Sequence, residues 1–412
     1  SSLIKLWEVK PTEKQYEIIN FHLDKGYLDL RIPTNNSPLY LRIDPLTGKI
    51  TNINRTHIKV SGNNAVIYKG NYKISEVKLK DYSNEDYLWI SNSCLIQECF
   101  STYASKKTIR LYDINTNTKF FEIQGSHISL TRSKSGYMLL KELNKLYLID
   151  TGDCEVKWEK TFANINLDSA RHSEDGLGIA VCFEGQDLRI YIVSNRIRER
   201  VIKSPFQQPF ITTWIRMFQN RFFVLLTIRE KESAEKESLI IVLDEDAELL
   251  EYQQLVGYDR VLWYYYPPTR TYIVLTCHII MERGKKHATI EYVEGKRCNE
   301  WYEAYKGSEL LWKRVRSLAD DRFLKESFDL IYDPFEPLIA LHSLRTNATR
   351  IFNVNSSVDL IYRVGEGYPW LFKGILIETI PKNRIKAYGI KGYFEKHLIS
   401  ALQSLLSNRT RQ

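Results

Sequence analysis

The sequence predicts an all-β chain assembled from repeated units, and three observations carry that expectation. A strand–turn–strand signature recurs along the chain, and the residues flanking each turn alternate between apolar and polar. Large flat side chains, which pack well on pleated surfaces, are also abundant, with 12% aromatic residues and 26 tyrosines. The clearest copy runs from Thr108 to Ile123, where Ile109 and Leu111 alternate with Arg110 and Tyr112 up to Asp113. That is the period of a half-buried strand. A polar turn, Asn115 to Asn117, follows, and then a second alternating strand. Asp, Asn and Ser accept hydrogen bonds from nearby backbone N–H groups and Gly tolerates positive φ, so these residues close tight hairpins.

Further copies lie at Leu39–Ile50, Lys145–Asp153, Asp187–Arg196 and Ser238–Asp246. Less regular ones lie at Thr289–Gly295, Thr349–Asn355 and Asn383–Ile390, with one more hairpin at Ala65–Ile74. Aligning the residue before each turn, at 44, 69, 113, 150, 193, 244, 293, 353 and 389, gives intervals of 25, 44, 37, 43, 51, 49, 60 and 36. Most fit a four-stranded propeller blade of roughly 40–50 residues. The interval of 25 is too short for a whole blade, so the first two copies are expected to share one. The predicted architecture is a single β-propeller of seven or eight four-stranded blades over residues 1–397, followed by a short amphipathic helix and tail over 398–412.

On these residues the chain resembles the WD-repeat type of β-propeller. Residues 108–127 carry the best match: Tyr112-Asp113 stands where the family has Trp-Asp, and Gly125-Ser126-His127 lies near the family's Gly-His. Only this copy has the Gly/His pair. The resemblance implies a propeller and a binding role. It names no partner and carries over no functional residue.

Hydrophobic residues make up 43% and charged residues 26% of the chain, ordinary for a globular protein. Nothing before Trp7 has the basic, apolar, small-residue order of a secretory signal. The most apolar stretch, Val261–Met281, is broken by Pro267, Pro268, Thr269 and Arg270, so no membrane span is expected. Of the six cysteines only Cys94 and Cys99 are close, and their odd separation puts them on opposite faces of a strand. The cysteines read as buried free thiols, which suits a reducing interior, cytoplasmic or nuclear (nucleoid-associated).

The net charge of +8 is unevenly spread: residues 373–412 hold eight cations, among them Lys382, Arg384 and Lys386, against Glu378 and Glu395. Such a basic terminus suits phosphate or an acidic protein surface, or serves as a solubilising edge. In Arg196-Ile197-Arg198-Glu199-Arg200-Val201 the strand period places three arginines on one face. That ladder matches a phosphate backbone or a row of carboxylates, and equally a charged outer strand that discourages edge pairing. A third cluster mixes Trp301, Tyr302, Tyr305 and Trp312 with Lys313, Arg314 and Arg316, as single-stranded nucleic-acid sites do, although five glutamates are interspersed and packing alone accounts for the rings.

Residues 229–238 read as an extended polar loop, and the interval before Asn353 has room for a helical insertion around Ser308–Lys325. Leu398, Ala401, Leu402, Leu405 and Leu406 recur at helical spacing, which predicts a helix that either caps the last blade or docks into a partner. No phosphate loop, dinucleotide motif, nucleophile elbow or paired histidines appear, so no catalytic residue, metal ligand or cofactor is assigned. The function expected is a non-catalytic scaffold or adaptor subunit holding protein partners. The alternatives are a nucleic-acid-associated protein acting through the basic C-terminal region, and a propeller enzyme with residues gathered at a central channel.

Overall fold

The turns set where each strand begins and ends. In the computed structural model, which describes residues 3–11, 17–22, 27–32, 39–101, 105–131, 136–161, 171–172, 178–184, 187–193, 197–203, 210–219, 221–229, 236–279, 298–317, 327–380 and 384–409, the acidic or amide residue that closes the signature strand accepts hydrogen bonds from its own turn. Asp44 Oδ1 accepts the N–H of Leu46 at 2.8 Å, Asp113 Oδ1 that of Asn115 at 2.8 Å, and Asn353 Oδ1 that of Asn355 at 3.0 Å. Asp150 Oδ1 accepts from Gly152 and Asp153, and Asp244 Oδ1 from Asp246 and Glu248. The carboxylate stands in for a backbone acceptor, which is why Asp recurs there. In four of these turns the chain then passes through a left-handed residue, Gly48, Asn117, Cys154 or Ala247, with φ of 72°, 59°, 53° and 63°.

Each of these turns joins the third strand of an antiparallel sheet to its fourth. Among the described residues, eight sheets have four strands paired in up-and-down order, and a ninth, at Thr56–Lys78, has three. These are the successive blades of a β-propeller. The chain divides into two compact units: Ser1–Ile53 with Ala234–Lys236 and Val256–Gln412, and Asn54–Ser233 with Glu237–Leu255. The first holds the sheets at residues 17–52, 259–317 and 328–364, together with the sheet at 368–390. The second holds the three-stranded sheet, the sheets at 87–125, 128–161 and 171–203, and the one that starts at Phe210.

Four expectations change. The first two copies of the signature do not share a blade: the turn at Asp44 belongs to one sheet and that at Lys69 to the three-stranded sheet, whose tight hairpins need few residues. The copy at Thr289–Gly295 lies outside the described residues, and the third-to-fourth turn of the sheet at 259–317 is Lys306–Glu309. Glu309–Ser317 is a strand, not part of a helical insertion, because it pairs antiparallel with Cys298–Lys306 from Glu309 opposite Lys306 to Ser317 opposite Glu300. Finally, Cys94, Cys99 and Cys154 are free thiols but Cys277 is disulfide-bonded.

The last copy, ending at Ile390, has no following hairpin strand. Leu3–Val9 takes that place, pairing antiparallel from Leu3 opposite Ile390 to Val9 opposite Ile385. Three other fourth strands carry one extra residue, Phe120, Lys157 or Leu360, opposite a register shift, and the N-terminal strand carries the same bulge at Leu6. It is therefore shaped as a fourth strand although it is the first in sequence.

Inner strands are buried on both faces, not on one. Ile109 and Leu111 pack with Met138, Leu140 and Ile149 of the following sheet, whereas Tyr112 packs with Ile67, Val77 and Leu95 on the other side. Tyr112 stands in place of the family's Trp; its hydroxyl donates to Gln97 Oε1 at 2.8 Å and accepts from the N–H of Lys80 at 3.0 Å. Between Arg110 and its surroundings the charge is met by Glu122 at 3.4 Å and the Lys80 carbonyl at 3.2 Å.

Asp333, fully buried, joins three sheets of the first unit. Its carboxylate accepts the N–H groups of Phe335, Glu336 and Lys373 at 2.9–3.1 Å and of Gly374 at 2.7 Å, and its own carbonyl accepts the Tyr264 hydroxyl at 3.1 Å. Burial pushes its carboxyl up from the usual 3.8 to about 6, the four N–H donors opposing but not cancelling the shift. A raised folded-state value means that this group favours folding below pH 4 and loses that contribution as pH rises through about 6. Asp333→Asn cannot ionise, so its destabilisation relative to wild type should shrink by up to about 3 kcal/mol between pH 4 and 7. Urea midpoints of both proteins across that range test this, and a penalty that grows with pH would sink it.

Candidate interaction surface

The predicted cations are not gathered into one patch. Arg196 and Lys382 lie outside the described residues. On the fourth strand of their sheet, Arg198 pairs with Asp246 at 3.3 Å, and Arg200 pairs with Glu248 at 2.5 Å and donates to the Ala247 carbonyl at 2.8 Å. The arginine side of that strand thus faces the turn of the next sheet, with Ile202 buried beside it, while Val201 on the opposite side is exposed. Long aliphatic stems let arginine line an apolar seam and keep its charge at the rim.

The third cluster behaves alike. Arg314 pairs with Asp359 at 2.9 Å and lies 4.1 Å over the Phe352 ring, and Arg316 pairs with Glu300 at 3.4 Å. Lys313 points the other way, exposed, 3.9 Å over Trp301. In the basic terminus, Arg384 pairs with Glu8 at 3.3 Å and Lys386 with Glu366 at 3.1 Å. The hydrogen bond from Lys386 holds the Glu366 carboxyl below its ordinary range, and that from Lys5 does the same for Glu8. Such exposed pairs stabilise by about 0–1 kcal/mol each, yet they place a carboxylate where a phosphate would have to sit.

The C-terminal helix, Glu395–Arg409, is built differently. Its first turn is fastened to the first unit. Glu395 accepts the Gly392 N–H at 3.0 Å with both carboxylate oxygens, an N-terminal cap that also holds its carboxyl below the usual range. Buried Glu336 receives His397 Nε2 and Lys396 Nζ, each at 2.6 Å. Phe394 and Leu398 join the core formed by Leu28, Leu30, Phe372 and Ile377. Close approach needs Gly389 beneath Phe394: a Cβ there would meet the ring at 2.6 Å.

Beyond that turn the helix buries nothing. Ile399, Leu402, Leu405 and Leu406 are 54%, 53%, 59% and 65% exposed. At 100° per residue they fall within about 120° of arc, in line with Leu398, so one apolar stripe starts in the core and continues into solvent. The spacing announced the helix. It did not announce that only the first of its leucines would be covered, nor Glu336 as the anchor, since an acid 60 residues upstream leaves no local sign. Among the described residues no group of His, Cys, Asp and Glu is arranged to hold a metal ion, and no helix is long and apolar enough to cross a membrane.

Strand order, Asx-closed turns and an N-terminal strand completing the C-terminal sheet define a divergent β-propeller. No protein-family model and no curated protein matches the chain. Solved structures similar to it include the Dos1 propeller (12% identity, 94% of this chain and 96% of that one, TM-score 0.38). Others are the β-propeller domain of Cps50 (Swd1) from Myceliophteria thermophila (11%, 76% and 98%, TM-score 0.29) and Hsv2 from Kluyvelomyces marxianus (10%, 73% and 90%, TM-score 0.34). At these TM-scores the likenesses carry no argument, and the fold rests on the pairing within this chain.

Removing the Glu336 carboxylate unpairs Lys396 and His397 together. Glu336→Ala should speed amide hydrogen exchange over residues 397–405 by roughly tenfold or more, with little change at 385–390. Equal acceleration in both segments would show that Glu336 supports the sheet and not the helix.

Proposed function

We propose that this chain is a non-catalytic scaffold that holds protein partners, with the apolar stripe of the C-terminal helix as one contact surface. The observation that carries the reading is the exposure of Ile399, Leu402, Leu405 and Leu406 on a helix whose N-terminal turn is fixed to the propeller. A pre-fixed helix loses little conformational freedom on binding, and covering a leucine of this kind contributes about 1.5–3 kcal/mol. Interfaces of the helix-in-groove type use i, i+3 and i+7 anchors, the spacing of Ile399, Leu402 and Leu406. The acid partners of Arg198, Arg200, Arg314, Arg316, Arg384 and Lys386 favour this reading over phosphate binding.

The paired substitution Leu402→Ser/Leu406→Ser tests it, because both side chains are already exposed and the melting temperature should change by less than about 2 °C. Tagged wild-type protein purified from its native cell, with nuclease added, should retain stoichiometric proteins that the double variant loses. Retention of nucleic acid instead, weakening steeply with salt and unaffected by the leucine substitutions, would replace the scaffold reading by a nucleic-acid one.

A further inference from the structure

We infer that Cys94 and Cys154 are a disulfide-forming pair that clamps two successive blades of the second unit. The two thiols belong to different sheets, those at 87–125 and 128–161, and their sulfurs lie 3.0 Å apart. A disulfide bond is about 2.05 Å long, so closing it takes a movement of roughly 1 Å, within reach of side-chain rotation. Both residues are free thiols, 0% and 8% exposed, in one shared core.

The backbone on either side is already fastened. Ser93 donates its N–H to the Thr151 carbonyl at 2.9 Å, and the Ser91 hydroxyl and Asn92 Nδ2 each donate to Thr151 Oγ1 at 3.1 Å. The Thr151 hydroxyl passes its own proton to the Gly136 carbonyl at 2.9 Å, and Cys154 Sγ lies 3.1 Å from the Ser93 carbonyl. Held this way, the sulfurs meet at a high effective concentration, and ring closure costs little further order.

The conformation of Cys154 is a second, independent observation. It lies four residues after Asp150, at the left-handed position that Gly48 fills four residues after Asp44 and Asn117 fills four after Asp113. Gly and Asn adopt that backbone readily and Cys does not. A cysteine set against the local preference, with its sulfur on the one cysteine of the adjoining sheet that shares its core, is accounted for by the bond the two can make. Burial raises the thiol of Cys154, and that of Cys94 further, so the more exposed Cys154 is the sulfur that reacts first.

The oxidant is a low-molecular-weight disulfide. The Cys154 thiol gives up its proton, and its thiolate attacks one sulfur of that disulfide to form a mixed disulfide, expelling a small thiolate that takes up the proton. Cys94 then attacks the Cys154 sulfur, releasing the second thiol, so that two protein thiols are oxidised and one small disulfide is reduced to two thiols.

Full-length protein equilibrated with oxidised glutathione or with dithiothreitol, then alkylated and digested without reduction, tests the proposal. The oxidised sample should yield one linked species joining the Cys94 and Cys154 peptides, two mass units below their sum, and the reduced sample should yield none. Oxidation should also raise the melting temperature of the second unit by roughly 5 °C or more, since the bond closes a long loop. Cys154→Asn suits the left-handed turn, so it should melt no lower than reduced wild type, should lose the link, and should keep only the part of the oxidised-minus-reduced difference that belongs to the Cys277 disulfide. Alkylation of both cysteines as separate peptides after oxidation, or glutathione left on either without a link, overturns the proposal. A link formed with no change in melting temperature overturns its role as a clamp.

Discussion

A four-stranded sheet has two faces and cannot cover either by itself, and the arrangement of this chain follows from that constraint. The middle strands carry runs buried on both faces, as in Leu239–Leu243, every residue of which is fully buried. Alternation is the signature of a strand with one dry face; a strand lying between two neighbours needs both. Each fully buried Leu, Ile or Val contributes about 1.5–3 kcal/mol, against about 0–1 kcal/mol for an exposed ion pair. Face-to-face stacking therefore decides the fold, and charges adjust to it.

The charged third and fourth strands show that adjustment. Arg200 reaches Glu248, Arg314 reaches Asp359 and Lys386 reaches Glu366, each on a neighbouring strand or turn. Most of these acids stand near turns that were already rich in Asp and Glu for backbone reasons. One chemical feature thus serves twice: a carboxylate closes its own hairpin, or a neighbour in the same turn meets a cation from the preceding sheet. The same economy gives Arg198, Arg200, Arg314, Arg316, Arg384 and Lys386 their acid partners.

What the sequence revealed and what it hid divide along the distance between partners. Asp113 with its turn, and the helical spacing of Leu398 to Leu406, are local arrangements and were legible. The pairing of Leu3–Val9 with Arg384–Ile390 was not, because alternation marks a strand without naming its neighbour across nearly the whole chain. The direction of the arginine ladder was hidden for the same reason. Its period was readable, but whether Arg198 and Arg200 faced solvent or Asp246 and Glu248 depended on the sheet that follows. Cys154 was visible as a cysteine and invisible as a left-handed residue beside Cys94.

The C-terminal helix is the place where the stacking rule stops. Phe394 and Leu398 complete the apolar seam between the sheets at 17–52 and 368–390. Those two side chains, the Gly392 cap and the Glu336 pairs are enough to fix the first turn. Nothing in that task requires three further turns, and a helix ending soon after Leu398 would cap equally well. The residues past it are leucines where a purely solvated extension would carry Lys, Glu or Gln, so their presence costs solubility without adding to the core. An apolar stripe continuous with the core but lying outside it is covered by another surface or is a liability. A scaffold that recruits through this helix makes the extra length intelligible, because the cap that stabilises the blade also aims the exposed part.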